Sequence, residues 1–424
     1  MENFIKKFKF VIYIFLLILI GILGYKTYKY INLQKLINTP INKLTEEQKL
    51  EDFEYLYNII IENYPFLEVN KRKYGIDWVD NKEKYIEFIK QEPNFKVALN
   101  EILLDLNNSH TNLLEREFIE YMIYAYESME WQKMFLDILN NPLVKSRYEL
   151  DIDNNLYFES NSKKMNIYKS NAVVQDVIKG KIASIYIPSM INYTDIEQDK
   201  KIITEYLNNI EDYQALIIDI RGNGGGDTRY WNTFLLPLIL KERIEVTTYN
   251  FYKDGNLIKE FFNAINFKAP KIDNLNLSSF PNLPPEISSD FKYYGKSILG
   301  VSPNKNSIKF KGNIYLFVDN NVFSASEGLT IFAKESGFAT VIGEQTKGDG
   351  IGSDPLIAML PNSGYVFRFS KDMGVTSDGT CNEEYGTTPD YVVNSAKYPY
   401  EYINVDECVL KVLELEGIDT SELN

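Results

Sequence analysis

Apolar side chains recur along the first part of the chain at Phe53, Leu56, Tyr57, Ile60, Ile61 and Tyr64. Their offsets of 0, 3, 4, 7, 8 and 11 lay down one face of a helix. Thr45-Glu46-Glu47-Gln48 opens that helix as a capping box, and Pro65 stops it. The same period predicts helices over about 82–90, 94–106 and 116–140. Near residue 181 the pattern changes. Ile182–Ile187 and Ala215–Ile220 are unbroken apolar runs of strand length, and further strands are predicted at 244–252, 314–318, 339–343, 356–360 and 364–369. Helical patterns at 195–210, 229–240 and 324–336 fall between them. Strands alternating with helices predict an α/β fold around a largely parallel sheet. Residues 268–300, rich in Pro, Asn and Ser, read as an irregular insertion of the kind that forms lids or binding loops.

The N-terminal pattern differs from both. Lys6, Lys7 and Lys9 precede an uncharged run from Phe10 to Tyr25, and Lys26 and Lys29 follow it. The run has no polar face, which a buried soluble helix would show. As a helix it spans about 24 Å, short of a bilayer core of about 30 Å, and flanking Tyr and Lys extend the reach. Ile22-Leu23-Gly24 makes a poor cleavage site. The expectation is an uncleaved signal anchor at 1–25 with the catalytic part outside the cytoplasm; the alternative is secretion after signal cleavage. A linker at 26–44, a helical domain at 45–145 and an α/β core at 146–424 complete the expected organisation.

Composition narrows the chemistry. Among the 424 residues, 59 Asp and Glu against 45 Lys and Arg give a net charge of −14, which argues against a nucleic-acid partner. Two cysteines exclude a disulfide scaffold, and a single histidine excludes zinc sites built on several imidazoles. No metal or cofactor is expected. Cys381 and Cys408 could pair in an oxidising compartment or stay free. A catalytic Cys381 thiol is disfavoured, because no helix start follows it.

Four segments carry candidate chemistry. Arg221-Gly222-Asn223-Gly224-Gly225-Gly226-Asp227 follows a buried strand, where α/β sheets meet ligands. It fails the dinucleotide fingerprint at Asp227 and lacks a Walker lysine, which leaves an anion or oxyanion cradle, or a tight turn. Phe323-Ser324-Ala325-Ser326-Glu327 opens a helix. Ser324 there is either a nucleophile at a helix N-terminus or the cap of a box closed by Glu327. His110 is either structural or the base that a serine nucleophile needs. Asn382-Glu383-Glu384-Tyr385-Gly386-Thr387-Thr388-Pro389-Asp390 is either a polar loop or the source of a carboxylate that orients the base. Ser302-Pro303-Asn304-Lys305 matches a Ser-x-x-Lys motif only by chance, within a polar irregular stretch.

Taken in order, these segments resemble the serine peptidases that include the C-terminal-processing (tail-specific) proteases and the tricorn protease core. Asp219-Ile220-Arg221-Gly222-Asn223-Gly224-Gly225-Gly226, Ser324-Ala325-Ser326-Glu327, Gly343-Glu344-Gln345-Thr346-Lys347-Gly348 and Gly386-x-x-Pro389-Asp390 carry the resemblance. It implies a crotonase-like core and attack of Ser324 on a peptide carbonyl, with the N–H groups of Gly225 and Ala325 as the oxyanion hole. The processing branch carries its lysine base 25 residues after the nucleophile; here that position is Asp349, and Lys347 stands two residues earlier. The tricorn-like branch uses an upstream histidine preceded by serine, and a glutamate before the final Gly-x-x-Pro-Asp. Ser109-His110 and Glu383 match it. The resemblance thus implies a Ser324–His110–Glu383 constellation acting on a peptide or protein substrate. Lys347 is the alternative base, Glu384 the fallback carboxylate, and Ser109 and Glu327 support the site. A histidine base implies activity that rises through about pH 6–7. Asn108-Ser109-His110-Thr111 departs from the Asp-Gly-His-Thr of many relatives. Residues 115–180 show no peptide-carboxylate loop of the PDZ kind.

Overall fold

The computed structural model describes residues 44–127, 129–150, 170–396 and 400–423. The expected anchor at 1–25 and all but the last residue of the linker at 26–44 lie outside these residues. Among the described residues, no helix is long and apolar enough to cross a membrane.

Helix α1 (Glu46–Asn63) is closed by the expected Thr45–Gln48 capping box, and its Phe53, Leu56, Tyr57 and Ile60 are buried. Helices α2 (Leu67–Tyr74), α3 (Lys82–Gln91) and α4 (Phe95–Leu104) follow. The Trp78 indole N–H donates to the carbonyl of Ile102 at 2.8 Å, fixing the turn between α2 and α3 onto α4. Next come β1 (Asn112–Leu113), α5 (Arg116–Glu127) and α6 (Pro142–Arg147). The one helix expected over 116–140 is broken, with short turns at Gln132–Phe135 and Leu136–Leu139 after α5.

The alternation then sets in with β2 (Val173–Ile178), β3 (Ile182–Tyr186), α7 (Glu197–Leu207) and β4 (Ala215–Asp219). It continues through β5 (Ile244–Tyr252), α8 (Asn256–Ala264), β6 (Tyr293–Val301), β7 (Asn313–Val318), α9 (Ala325–Ser336) and β8 (Thr340–Gly343). Strands β9 (Leu356–Met359), β10 (Val366–Phe369) and β11 (Met373–Val375) precede α10 (Asn382–Tyr385), β12 (Tyr391–Val392) and α11 (Glu407–Glu416).

The main sheet runs β12-β8-β7-β4-β3-β2, parallel throughout except for the β2–β3 hairpin. Strand β4 is buried at all five residues, because both faces of a parallel sheet are covered. Its alternate side chains feed two cores. Leu216 and Ile218 pack with Ile203 of α7 and Leu329 and Phe332 of α9, whereas Ile217 packs with Val409, Val412 and Leu413 of α11. Two small antiparallel sheets, β1-β10-β9 and β11-β5-β6, complete the fold. They share a core with the N-terminal helices, in which Leu56, Ile60 and Leu99 meet Phe251, Phe261, Phe367 and Met373. The apolar faces of the expected 45–145 unit are therefore covered by residues beyond 146.

Residues 268–300 carry more order than their composition suggests, since strand β6 begins at Tyr293. Asn282 Nδ2 donates to Asp378 at 2.7 Å, and Phe280 stands edge-on to Tyr249, so this segment buttresses the chain leading to α10. The carboxyl ends of β4, β7 and β8 lie side by side, and each opens into one of the motif-bearing loops.

Candidate active site

Ser324 stands between β7 and α9 with φ 56° and ψ −122°. For a residue with a Cβ this backbone costs about 1–3 kcal/mol, strain that concentrates at functional positions. In a capping box the hydroxyl would accept the N–H of Glu327 while Glu327 reached back. Neither contact forms. Ser324 makes no side-chain cap bond. Glu327 is fully buried and accepts instead from Asn382 Nδ2 at 2.7 Å and Thr387 Oγ1 at 2.6 Å. Burial raises its carboxyl above the ordinary value. Glu327 thus ties α9 to Asn382 and Thr387, on either side of Glu383 in the sequence. Ser326 Oγ, not Ser324, ties the turn down, at 2.6 Å from the Asn223 carbonyl and 2.8 Å from that of Phe323.

The glycine loop lies directly against this turn. A Cβ on Gly225 would sit 2.8 Å from Ser324 Cβ, and one on Gly226 would sit 2.0 Å from the Met190 carbonyl oxygen. Both glycines also have φ above 100°, so side chains are excluded twice over. Asn223, fully buried, braces the loop. Its Nδ2 donates to the Ile187 carbonyl at 2.9 Å, and its Oδ1 accepts the Gly225 N–H at 2.9 Å. The Gly225 N–H expected in the oxyanion hole is therefore engaged here by Asn223. The Ala325 N–H, in the first turn of α9, has no acceptor within its helix. Behind the loop, buried Arg221 pairs with Asp219 and Asp406, each at 2.8 Å, and so anchors the start of α11.

His110 lies on the loop after α4. Its ring packs on Phe323, the residue before Ser324, with centroids 4.8 Å apart. Its Nδ1 is 2.6 Å from Oδ2 of Asp349, a buried carboxylate on the loop after β8. The neighbouring Gly348 carbonyl accepts the Ser324 N–H at 3.2 Å, so one short segment holds both histidine and serine. Sequence reasoning placed Glu383 on the imidazole; the structure places Asp349 there. Glu383 accepts from Asn108 Nδ2 at 2.9 Å, and its other oxygen is buried without a partner. Burial, then the nearby Asp349 charge, push the Glu383 carboxyl well above its ordinary 4.5. Glu383 is therefore a buried neighbour of the imidazole loop, linked to it through Asn108. Asn108 is the hub that sequence reasoning missed: its Oδ1 accepts from the His110 N–H at 3.0 Å, Thr111 Oγ1 at 2.8 Å and Ser370 Oγ at 3.1 Å. The only signal for it was the departure from Asp-Gly-His-Thr.

The remaining candidates make other contacts. Ser109 does not hold a carboxylate; its Oγ accepts from Lys347 Nζ at 2.9 Å. Lys347 itself makes no hydrogen bond to Ser324 and rides over the Phe323 ring at 5.2 Å. Glu384 is taken by Arg72 at 2.6 Å. Cys381 and Cys408 are both free and buried, and burial pushes the Cys381 thiol up, away from thiolate chemistry. Among the described residues no group of three His, Cys, Asp or Glu side chains could hold a metal ion. The arrangement can support attack by a serine hydroxyl assisted by an imidazole.

A family model described as Peptidase family S41 matches residues 181–393, half of the chain. Among curated proteins, none matches at a significant level. A candidate peptidase from Parabacteroides merdae superimposes with a TM-score of 0.55 at 20% identity, covering 87% of this chain and 96% of the other. Mature CPAF, in its complex with lactacystin, superimposes with a TM-score of 0.55 at 13% identity, covering 87% of this chain and 98% of the other. At these identities the two structures speak to fold alone.

Proposed function

Since the chain belongs to peptidase family S41 and is a serine peptidase, we propose that Ser324 is its nucleophile, His110 its base and Asp349 the carboxylate that orients the base. The observation that carries this reading is the His110 ring, held at Nδ1 by Asp349 and laid against the residue before Ser324. With Nδ1–H donated to Asp349, Nε2 is the nitrogen left to accept a proton. The Ser324 hydroxyl attacks the scissile carbonyl and Nε2 takes its proton. The oxyanion meets the Ala325 N–H and the Gly225 N–H, which exchanges Asn223 for the new charge. Nε2 then protonates the leaving amine, and water repeats the sequence on the acyl-enzyme. Losing one oxyanion donor should cost roughly 10²–10³ in turnover. Glu383 stands behind this relay, joined to it through Asn108, in place of the direct role inferred from the resemblance.

The core is crotonase-like on this reading, and the substrate is a peptide or protein segment. The apolar run at 10–25 supports a membrane-anchored protein with the site outside the cytoplasm. Resistance to alkaline carbonate extraction, with protease accessibility on intact cells, tests that placement.

The catalytic reading is tested on the purified full chain by fluorophosphonate labelling and by turnover of a mixed peptide library. Ser324→Ala and His110→Ala should each abolish labelling and cleavage, while Lys347→Ala retains both. Loss in Lys347→Ala with retention in His110→Ala would reassign the base to Lys347. A wild-type chain that neither labels nor cleaves would point to a peptide-binding protein that keeps the fold.

A further inference from the structure

Resting on the serine-peptidase reading of Ser324, we propose that Lys347 and Arg368 form a subsite beside the nucleophile that binds a carboxylate of the peptide substrate. Both cations converge on one residue. Lys347 Nζ donates to Ser109 Oγ at 2.9 Å, and Arg368 Nη2 donates to the Ser109 carbonyl at 3.3 Å. Ser109 is exposed and immediately precedes His110. Lys347 also lies over the ring of Phe323, next to Ser324, so the pair stands at the mouth of the site.

Neither cation forms an ion pair with a carboxylate among the described residues, and this sets Arg368 apart from Arg72, Arg116, Arg221, Arg229 and Arg243. With 59 acidic against 45 basic residues, carboxylates are in excess. Around the site, Arg72, Arg221 and Arg229 each hold a carboxylate in an ion pair at 2.8 Å or less. Arg368 instead spends Nε on the Asn112 side-chain oxygen at 2.8 Å and Nη2 on a backbone carbonyl. A guanidinium carries five N–H donors, so about three are left without an acceptor. Its face is covered by the Phe118 ring at 5.2 Å, which fixes its plane without neutralising it. Burial lowers its pKa, as for any charge taken from water unpaired; Tyr126, Asp354 and Asp349 act on it only across space. Asp349 is committed to His110, and Asp354 accepts from Gln132 at 2.9 Å. A half-buried planar fork with unused donors, beside a mobile-stemmed ammonium, is the chemistry that grips a carboxylate from two sides.

That carboxylate can come from an Asp or Glu side chain near the scissile bond or from a free peptide C-terminus. The two sources separate in one experiment. The full chain is offered peptides of one cleavable sequence from the library, carrying Glu, Gln or Lys at successive positions around the bond. Each is made with blocked ends, and the Gln series also with a free C-terminal carboxylate. At low ionic strength, kcat/KM for the best-placed Glu peptide should exceed its Gln counterpart by about tenfold, mainly through KM, and the gap should shrink as salt screens it. Lys347→Glu should narrow or invert the Glu-to-Lys ratio, and Arg368→Gln should remove roughly fivefold of the preference. Preference for the free C-terminus over blocked Glu assigns the same subsite to chain ends. Equal turnover of Glu, Gln and Lys peptides at every position, with no effect of a free C-terminus, overturns the proposal. Fluorophosphonate labelling of each variant distinguishes this from failure of the catalytic reading: labelling kept while selectivity is absent sinks the subsite alone, whereas labelling lost in wild type sinks the nucleophile.

Discussion

A neutral imidazole serves a serine at one nitrogen only when the other is held with its proton, so the identity of the holding carboxylate is a mechanistic question at the level of single atoms. Asp349 makes that contact at 2.6 Å and Glu383 does not. Asp349→Asn should therefore lower kcat by about 10³–10⁴, while Glu383→Gln, which mimics the protonated acid, should lower it by less than about tenfold. Steady-state rates on one library-derived peptide decide between them, and the reverse ranking would return the role to Glu383. Glu383 also makes a prediction about stability. Its proton is held in the folded chain to a higher pH than the ordinary 4.5 of the unfolded one. Unfolding therefore releases a proton, and the folded state loses stability as pH rises above about 4.5. Glu383→Gln has no such proton to lose, so its denaturation midpoint should gain on wild type as pH rises from 4.5 towards neutrality. A difference that does not change with pH would contradict the buried, protonated acid. Motif order singles out Ser324 and His110 as candidates, and their neighbours in sequence, Phe323 and Asn108, are also among their structural contacts. Asp349 was visible only as a position where relatives carry lysine. Which way a loop side chain points depends on the φ of 57° at Asp349 and on packing from α4, and neither is written in spacing.

Elements were legible where a period repeats over several turns or where both faces of a strand are buried. Strand β4 and helix α1 lie within one or two residues of their expected bounds. The failures have local causes. The helix expected over 116–140 ends at Glu127, and the residues buried beyond it, Phe135 and Leu139, do not continue the face of Ile119 and Ile123 but are brought inward by short turns. Composition hid strand β6, whose exposed Lys296, Ser297 and Ile298 read as loop although the backbone pairs with β5 along nine residues. Helix α10 is only four residues long, too short to hold itself, and depends on contacts from other elements. Arg72 of α2 supplies one, reaching Glu384 of α10 at 2.6 Å and Glu286 of the 268–300 segment at 2.8 Å. Both carboxylates are almost fully buried, and removing their shared partner strands them. Arg72→Ala should cost about 2–3 kcal/mol in urea denaturation, below the 3–5 of a fully buried pair because the guanidinium is a third exposed. Arg72→Lys, unable to fork between two carboxylates, should fall between. A loss below about 0.5 kcal/mol, the level of an ordinary surface pair, would mean that α10 is held by its apolar contacts alone.

At the scale of the molecule, the sequence reading divided the chain near 145, but the packing does not. Residues of α1 and α4 share one core with β5, β10 and β11, and the loop carrying His110 reaches the loop carrying Asp349 across that junction. The candidate site is assembled from both sides of that division: the loop carrying His110 from the N-terminal part, Ser324 and the glycine loop from the parallel sheet. Such a site exists only when both parts are folded together, so unfolding should be one cooperative event. Leu56 of α1 and Leu316 of β7 are fully buried in different cores. Leu56→Ala and Leu316→Ala should each cost about 2–5 kcal/mol. Each should move a single transition, seen at the same midpoint by far-ultraviolet circular dichroism and by tryptophan emission, to which Trp78 in the helical part and Trp231 in the sheet part both contribute. Activity should disappear along the same curve in both variants. If Leu56→Ala instead produced an early transition that left the second half of the signal at its wild-type midpoint, the helical part would be an independent unit. Catalysis would then depend on its docking, and peptide turnover would fall at the earlier midpoint while the sheet remained folded.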